Sequence, residues 1–112
     1  MASAMDSLRW SDGEKKLARR AFDKALHQEL DKVTLRVKEM ARAIQAPDDL
    51  WKIEHYLTRS RKEIDSLFDY RYSQLPMVFG MLVRKGLLGL EDLQGLGEEK
   101  SAYVRFMQGE GR

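Results

Sequence analysis

Hydrophobic residues recur at spacings of three and four through the first half of the chain, the pattern of a helix that packs along one stripe. Ser11 and Glu14 have the form of a capping box. After Gly13, no glycine or proline interrupts the pattern as far as Gln45. The sequence therefore predicts a first helix from Ser11 to Gln45, roughly 50 Å long at 1.5 Å per residue. Its stripe contains Phe22, Leu26, Leu30, Val33, Val37, Met40 and Ile44.

A second helix is predicted from Pro47 to about Tyr72. Proline fits a first helical turn because its missing N–H needs no partner there, and Asp48 and Asp49 complement the positive helix end. The link after Gln45 is so short that the second helix must fold back antiparallel on the first. Its own stripe contains Leu50, Ile53, Leu57, Ser60 and Ile64.

The remaining sequence predicts a small head of short helices over residues 73–108. An apolar run from Leu75 to Val83 ends at Lys85 and Gly86, a helix stop. A last helix is expected from Glu98 to about Met107, and no segment alternates as a strand would. Residues 109–112 are expected to fray and residues 1–10 to be disordered. Residues 1–4 are interpreted as an expression-vector remnant.

Two amphipathic helices with wide apolar stripes cannot bury both stripes on each other. Two such hairpins can, in a four-helix arrangement, and a symmetric dimer is the commonest way to build one. We therefore expect an all-α fold: a long antiparallel hairpin, or stalk, over residues 11–72, a small head, and a homodimer that pairs the hairpins.

Composition narrows the possible functions. A chain of 112 residues has room for one small domain, and its apolar runs are too short to cross a membrane. The N-terminus does not resemble a signal peptide and cysteine is absent, so a cytoplasmic location is expected. A net charge of +2 is too balanced for a typical nucleic-acid module. Basic residues concentrate near the N-terminus, at Arg9, Lys15, Lys16, Arg19, Arg20 and Lys24, and an exposed helix face explains them best.

Catalytic and metal-binding patterns are missing from the sequence. His27 and His55 lack metal-ligand spacing, and the glycines form no phosphate-binding loop. Glu54 and Asp65 are expected to form salt bridges with Arg61 rather than to act as a catalytic pair. We expect no metal, no cofactor and no enzymatic activity.

Trp51 and Arg61 lie beside the apolar stripe of the second helix and are the side-chain types most enriched in binding hot spots. Trp51 fits either packing at the stripe edge or the anchoring of a partner. A bidentate pair between Arg61 and Glu54 or Asp65 would steady a dimer and leave a recognition surface. Met77 and Phe79 in the head are better explained by core packing than by a pigment or lipid pocket.

The runs Asp48–Lys52 and Arg61–Asp65 together resemble the fluorescence recovery protein family of cyanobacteria. The resemblance extends from Trp10 to about Lys100 without a gap. It includes Phe22, Lys24, Ala25, Glu29, Leu30, Asp69, Arg71, Ser73, Phe79 and the helix end from Leu82 to Leu87.

This resemblance implies a helical homodimer without enzymatic activity. It also implies binding to the photoactivated orange carotenoid protein, mainly to its C-terminal domain. Such binding speeds the return to the resting orange form and ends quenching at the phycobilisome. In a cyanobacterial host the protein would be cytoplasmic and peripheral to thylakoids.

The chain departs from the family pattern at contact positions. Where members have His-Asp, this chain has Glu54 and His55; Met77 replaces an aromatic residue and Tyr103 a basic one. Two alternatives therefore stay open: a helical dimer with another protein partner in a host without phycobilisomes, and, less favoured, a nucleic-acid-binding dimer. The candidate partner-binding or dimer-interface residues are Leu50, Trp51, Ile53, Glu54, His55, Leu57, Arg61 and Asp65, with Met77, Phe79 and Tyr103 on the head surface.

Overall fold

The computed structural model describes residues 9–110, and these residues confirm the all-α prediction. They contain no strand, although an isolated bridge joins Gln94 and Leu96. The four α-helices are α1 (Asp12–Arg42), α2 (Asp49–Leu67), α3 (Leu75–Arg84) and α4 (Glu98–Arg105). A 3₁₀ turn spans Leu90–Leu93 and a π-helical turn spans Phe106–Glu110.

The predicted capping box begins α1. The Ser11 hydroxyl accepts a hydrogen bond from the Glu14 N–H at 3.1 Å, and the Glu14 carboxylate accepts one from the Ser11 N–H at 3.0 Å. Two N–H groups that the helix leaves unpaired are thereby satisfied. The helix then runs for 31 residues and ends at Arg42, three residues before the predicted end.

A single carboxylate holds the turn between α1 and α2. Asp49 accepts hydrogen bonds from the N–H groups of Gln45 at 2.9 Å and Ala46 at 3.1 Å. These two bonds, with Lys52 at 3.2 Å, lower the pKa of Asp49 to about 2. The helix α2 begins at Asp49, so Pro47 lies in the turn before the helix and not in its first turn as predicted.

The predicted continuation of α2 to Tyr72 is wrong. The backbone leaves the helix at Phe68, with φ −90° and ψ 75°. The rings of Phe68 and Tyr70 then meet the ring of Phe22 edge to face, at centroid distances of 5.4 and 4.8 Å. Packing on α1 thus overrides the local helical pattern. Because the end of α2 contacts Phe22 in the N-terminal half of α1, the two helices are antiparallel.

The hydrophobic core lies at one end of the molecule, where the N-terminal half of α1 meets the short helices. Fourteen buried apolar residues form it. By contrast, Ser60 is the one buried residue of α2. The core consists of Leu17, Ala18, Ala21, Phe22, Ala25, Leu75, Val78, Phe79, Leu82, Leu87, Leu88, Leu93, Leu96 and Val104.

The described residues form an elongated body because the hairpin projects beyond this core. Their extents are 54 × 30 × 29 Å and their radius of gyration is 17.1 Å. A compact chain of this length would have a radius of gyration of about 13 Å. The part of the hairpin that projects beyond the core is therefore the part least buried by the rest of the chain.

The helix stop at Lys85 and Gly86 was predicted correctly from local sequence. Gly86 ends α3 with φ +79°, where a residue without a side chain is favoured. The Leu87 N–H bonds to the Leu82 carbonyl at 2.9 Å and the Gly86 N–H to the Val83 carbonyl at 3.0 Å, which completes a Schellman motif.

The expected disorder of residues 1–10 does not hold at Trp10. Its ring lies 5.2 Å from that of Tyr72, and it packs against the hydrophobic core. Residues 1–8 and 111–112, where the vector remnant and the end of the frayed tail were expected, lie outside the described residues.

Candidate interaction surfaces

The apolar stripe of α2 divides between buried and exposed positions. Ile53, Ser60 and Ile64 are buried or half-buried towards α1, whereas Leu50 and Leu57 keep 50% and 43% of their surface exposed. At 100° per residue, Leu50 and Leu57 lie about 60–80° to one side of the line through Ser60. The single hairpin therefore leaves part of its predicted stripe uncovered.

Leu30 of α1 continues this exposed patch, with 46% of its surface exposed. Arg36 and Leu30 are six residues apart, which separates them by about 120° around α1. Arg36 lines a groove shared with Lys52 and Arg59 of α2, and Leu30, Leu50 and Leu57 line no part of it. We call Leu30, Leu50 and Leu57 the apolar flank, on the side of the hairpin opposite that groove.

Trp51 is one of the most exposed large side chains, with 60% of its surface accessible. It lies nine residues before Ser60, which places it about 180° from the side that faces α1. Of its two interpretations, packing at the stripe edge finds no support within the described residues. An exposed indole is suited to anchoring a partner.

Arg61 makes a weaker contact than the sequence suggested. Its Nε lies 3.9 Å from Asp65 Oδ2, and both side chains are largely exposed. This single contact is too long for a bidentate hydrogen-bonded pair. Within the described residues Glu54 forms no ion pair with Arg61, so both carboxylates remain accessible to another molecule.

His55 lies on the other side of α2, in the groove with Arg36. This groove between α1 and α2 has a volume of about 590 Å³, and Met40 and Tyr56 supply apolar surface to it. We call it the cationic groove. It is lined by Arg36, Met40, Asp48, Trp51, Lys52, His55, Tyr56 and Arg59.

Arg36 and Arg59 were not among the candidate site residues predicted from the sequence. The signal was present in α2, because Lys52, His55 and Arg59 follow one another at spacings of three and four and so share a helix face. Arg36 could be assigned to the same site only once the alignment of α1 against α2 was known.

The three head candidates differ in their accessibility. Met77 is half-buried and lines a second groove, of about 780 Å³, together with Met81 and Met107. Tyr103 is half-buried on α4. Phe79 has no exposed surface, because it lies on the inner side of α3 within the core. Core packing, the favoured interpretation of Phe79, is therefore confirmed, and its placement on the head surface is wrong.

Part of the N-terminal basic region is engaged in contacts within the fold. Arg19 pairs with Asp23 at 3.2 Å, and its guanidinium carbon lies 3.8 Å from the ring centre of Tyr70. Lys24 pairs with Asp92 of the 3₁₀ turn at 2.7 Å. At these two positions the cations hold α1 to neighbouring segments.

Residues 9–110 contain neither a cluster of metal ligands nor a membrane-spanning helix. No three His, Asp or Glu side chains there come together so that they could hold a metal ion. No helix in the same range is both long and apolar enough to cross a membrane.

Comparisons with known proteins agree with this architecture. The family model described as photoprotection regulator fluorescence recovery protein matches residues 10–108. The fluorescence recovery protein of Synechocystis sp. is 36% identical over 98 residues, which cover 88% of this chain and 90% of that protein.

Solved structures match over the same extent. The fluorescence recovery protein of Fremyella diplosiphon aligns with a TM-score of 0.82 and 35% identity, covering 88% of this chain and 97% of that chain. The Synechocystis structure aligns with a TM-score of 0.83, 35% identity and the same coverages. Since the match spans most of the sequence and of the fold, the chain belongs to the fluorescence recovery protein family of photoprotection regulators.

Proposed function

We propose that this chain acts without catalysis, as a homodimer that binds the photoactivated orange carotenoid protein and speeds its return to the resting orange form. Its site of action would be the cytoplasm, at the phycobilisomes that line thylakoids. Family membership supports a regulatory role. The observation that carries the proposal is the exposed indole of Trp51 on a hairpin whose apolar flank is also uncovered.

The apolar flank supports the dimer. Leu30, Leu50 and Leu57 each expose more than two fifths of their surface, and burial of that remaining part would contribute about 1 kcal/mol for each. A second hairpin in a two-fold arrangement would bring an identical flank against this one. Ile53, already half-buried at the edge of the flank, would be covered further.

The polar residues next to the flank would provide recognition. Arg61, Glu54 and Asp65 follow the flank around α2, about 100–140° from the buried line, and Trp51 lies beyond them. All four side chains are exposed. A partner that covers Trp51 would therefore also meet two carboxylates and a guanidinium, groups that set orientation and exclude ill-matched partners.

To speed the relaxation, the chain must bind the carotenoid protein more tightly on its way back to the orange form than in its photoactivated form. A ligand shifts an equilibrium only by its difference in affinity for the two states. The chain would therefore hold the carotenoid protein in an arrangement close to the resting one. Neither metal nor pigment on the regulator is needed for that effect.

The test is the red-to-orange decay of purified, light-activated orange carotenoid protein, followed by absorbance in the dark. The decay rate should rise with added chain and reach a plateau as the complex saturates. Serum albumin at equal concentration controls for non-specific effects. An unchanged rate at concentrations where binding is shown to be complete would contradict the proposal.

A second function has a specific observation in its favour. Glu54 and His55 stand where the resemblance implies His-Asp, and both are exposed in positions open to a partner. The same helical dimer could therefore bind a different protein in a host without phycobilisomes. Failure to bind the carotenoid protein, combined with specific capture of another protein from the native host, would favour this alternative.

A further inference from the structure

The cationic groove concentrates positive charge on the side of the hairpin opposite the apolar flank. Arg36, Lys52 and Arg59 contribute three permanent cations, and His55 adds an imidazole. Asp48 is the single carboxylate among the residues that line it. The groove is thus far more basic than the chain as a whole, whose net charge is +2.

These cations are poorly compensated within residues 9–110. Arg59 forms no ion pair there. Arg36 reaches Glu39 only at 4.0 Å, the outer limit of a salt bridge. Lys52 pairs with Asp49 at 3.2 Å, but that carboxylate already accepts two backbone hydrogen bonds. An anionic ligand would therefore find donors that no internal carboxylate fully occupies.

Part of the groove lining is apolar. Trp51 and Tyr56 on α2 and Met40 on α1 line the same cavity of about 590 Å³. Tyr56 and Met40 are half-buried and lie towards the floor. A ligand that combines negative charge with an apolar or aromatic side chain would match both parts of the groove.

Acidic residues bound the positive region. Asp48 lies in the lining itself, and the adjoining groove, which shares Tyr56 and Arg59, contains Glu29 and Glu63. A nucleic-acid strand needs a continuous basic track for its phosphates, and these carboxylates interrupt any such track. A short segment of a few acidic residues fits between them.

We propose that the cationic groove binds a short acidic peptide segment, with a neighbouring apolar side chain, belonging to a protein partner. This inference goes beyond the regulatory function proposed above, because it depends on the groove alone and on no particular identity of the partner. It also assigns roles to Arg36 and Arg59, on the side of the hairpin away from the apolar flank.

The test uses the full chain and a fluorescein-labelled synthetic peptide with four glutamates and one tryptophan. Fluorescence anisotropy at low salt should show saturable binding that weakens as salt rises. Arg59→Gln should weaken binding about fivefold, and Arg36→Gln with Arg59→Gln about tenfold or more. Circular dichroism would verify that the variants remain folded.

Matched controls separate the groove from overall charge. Lys62→Gln and Lys38→Gln remove the same charges from exposed positions on α2 and α1 that line neither groove. They should change affinity less than twofold. Equal losses in the groove and control variants would overturn the proposal, as would the absence of binding.

Two further probes distinguish other occupants. A peptide with glutamine in place of glutamate should not bind, and a single-stranded oligonucleotide of similar charge should bind more weakly than the acidic peptide. If the oligonucleotide bound more tightly than the peptide, and this binding depended on Arg59, the peptide proposal would be overturned in favour of a nucleic-acid ligand. None of these probes is the carotenoid protein, so a negative result with the peptide would not contradict the proposed function. The relaxation assay tests that function separately.

Discussion

Lys100 and Glu14 form a buried ion pair, with Lys100 Nζ 3.2 Å from Glu14 Oε2 although 86 residues separate them in sequence. Lys100 is only 5% exposed and also donates to the Arg9 carbonyl. The same Glu14 oxygen also accepts the Gly97 N–H at 2.8 Å. The start of α1 is thereby tied to the start of α4, at the end of the molecule opposite the hairpin turn.

Lys100→Met is expected to destabilise the chain by about 3 kcal/mol. Removal of one partner from a buried pair leaves an uncompensated charge, and Glu14 is only partly satisfied by two backbone donors. Urea unfolding at pH 7, followed by circular dichroism, measures the change. Lys16→Met, at an exposed position of α1, is the control and should change the free energy of unfolding by less than about 0.5 kcal/mol.

Stability should fall on acidification, partly through the same carboxylate. Burial alone would raise the pKa of Glu14, but hydrogen bonds from Ser11, Gly97 and Lys100 outweigh burial and lower the pKa below 4.5. A carboxyl whose pKa is lowered by folding stabilises the native state above its unfolded pKa. That contribution is lost as the pH falls through the folded value.

Glu14→Gln should therefore reduce stability at pH 7 and flatten the loss of stability below pH 4.5. Thermal unfolding at a series of pH values from 3 to 7 measures both effects. Glu99→Gln, at an exposed position of α4, controls for the change in net charge. An acid dependence of Glu14→Gln as steep as that of the wild type would show that this carboxylate does not contribute. Asp49, with its pKa of about 2, would sustain the remaining slope to lower pH.

The sequence predicted best those features whose cause is local. Ser11 with Glu14 and Gly86 with Leu87 act over a few residues, so their helix ends could be placed without a fold. The end of α2 could not, because Phe68 suits a helix locally and leaves it only to contact Phe22, 46 residues away. Local preference gives way where tertiary packing offers more buried area.

The candidate site shows the same division. Helical spacing left Trp51 between packing at the stripe edge and anchoring a partner, and its exposure became clear only once α1 was placed. The burial of Phe79 also depends on which side of α3 meets the core. Likewise, Lys100 looks like a solvent-exposed residue of a short helix until α1 is placed beside it. The residue types could be interpreted from the sequence, but the sequence pattern did not show which helix faces contact each other in the fold.

Gly80→Ala should destabilise the head by about 1–3 kcal/mol. A methyl group at this position of α3 would lie 2.8 Å from the Val104 carbonyl oxygen and would collide with the Met107 side chain. Overpacking of this kind forces backbone shifts. Gly13→Ala in α1 is the matched control, since its nearest contact would be an ordinary 3.9 Å from Ser11 Oγ and helix propensity favours alanine. Urea unfolding that ranks both variants equal would contradict the close approach of α3 and α4.

Leu57→Glu should convert the proposed dimer to monomers. The change places a charge in the apolar flank, where dimer formation would bury it without a partner. Sedimentation velocity at micromolar concentrations should give a dimer for the wild type and a monomer for the variant. Leu35→Glu is the control, because Leu35 is 61% exposed on the opposite side of α1 from Val33 and Val37. A wild-type monomer at these concentrations would remove the basis for the four-helix arrangement.

Trp51→Ala should separate function from folding. The indole is 60% exposed, so its loss should change the free energy of unfolding by less than about 1 kcal/mol. If Trp51 anchors the partner, its truncation removes a binding hot spot, which typically costs 2 kcal/mol or more and lowers affinity about thirtyfold. The concentration of chain that half-saturates the red-to-orange decay rate measures this loss, and Lys62→Ala serves as an exposed control on the same helix. Wild-type half-saturation by a folded, dimeric Trp51→Ala variant would show that recognition lies elsewhere on the molecule.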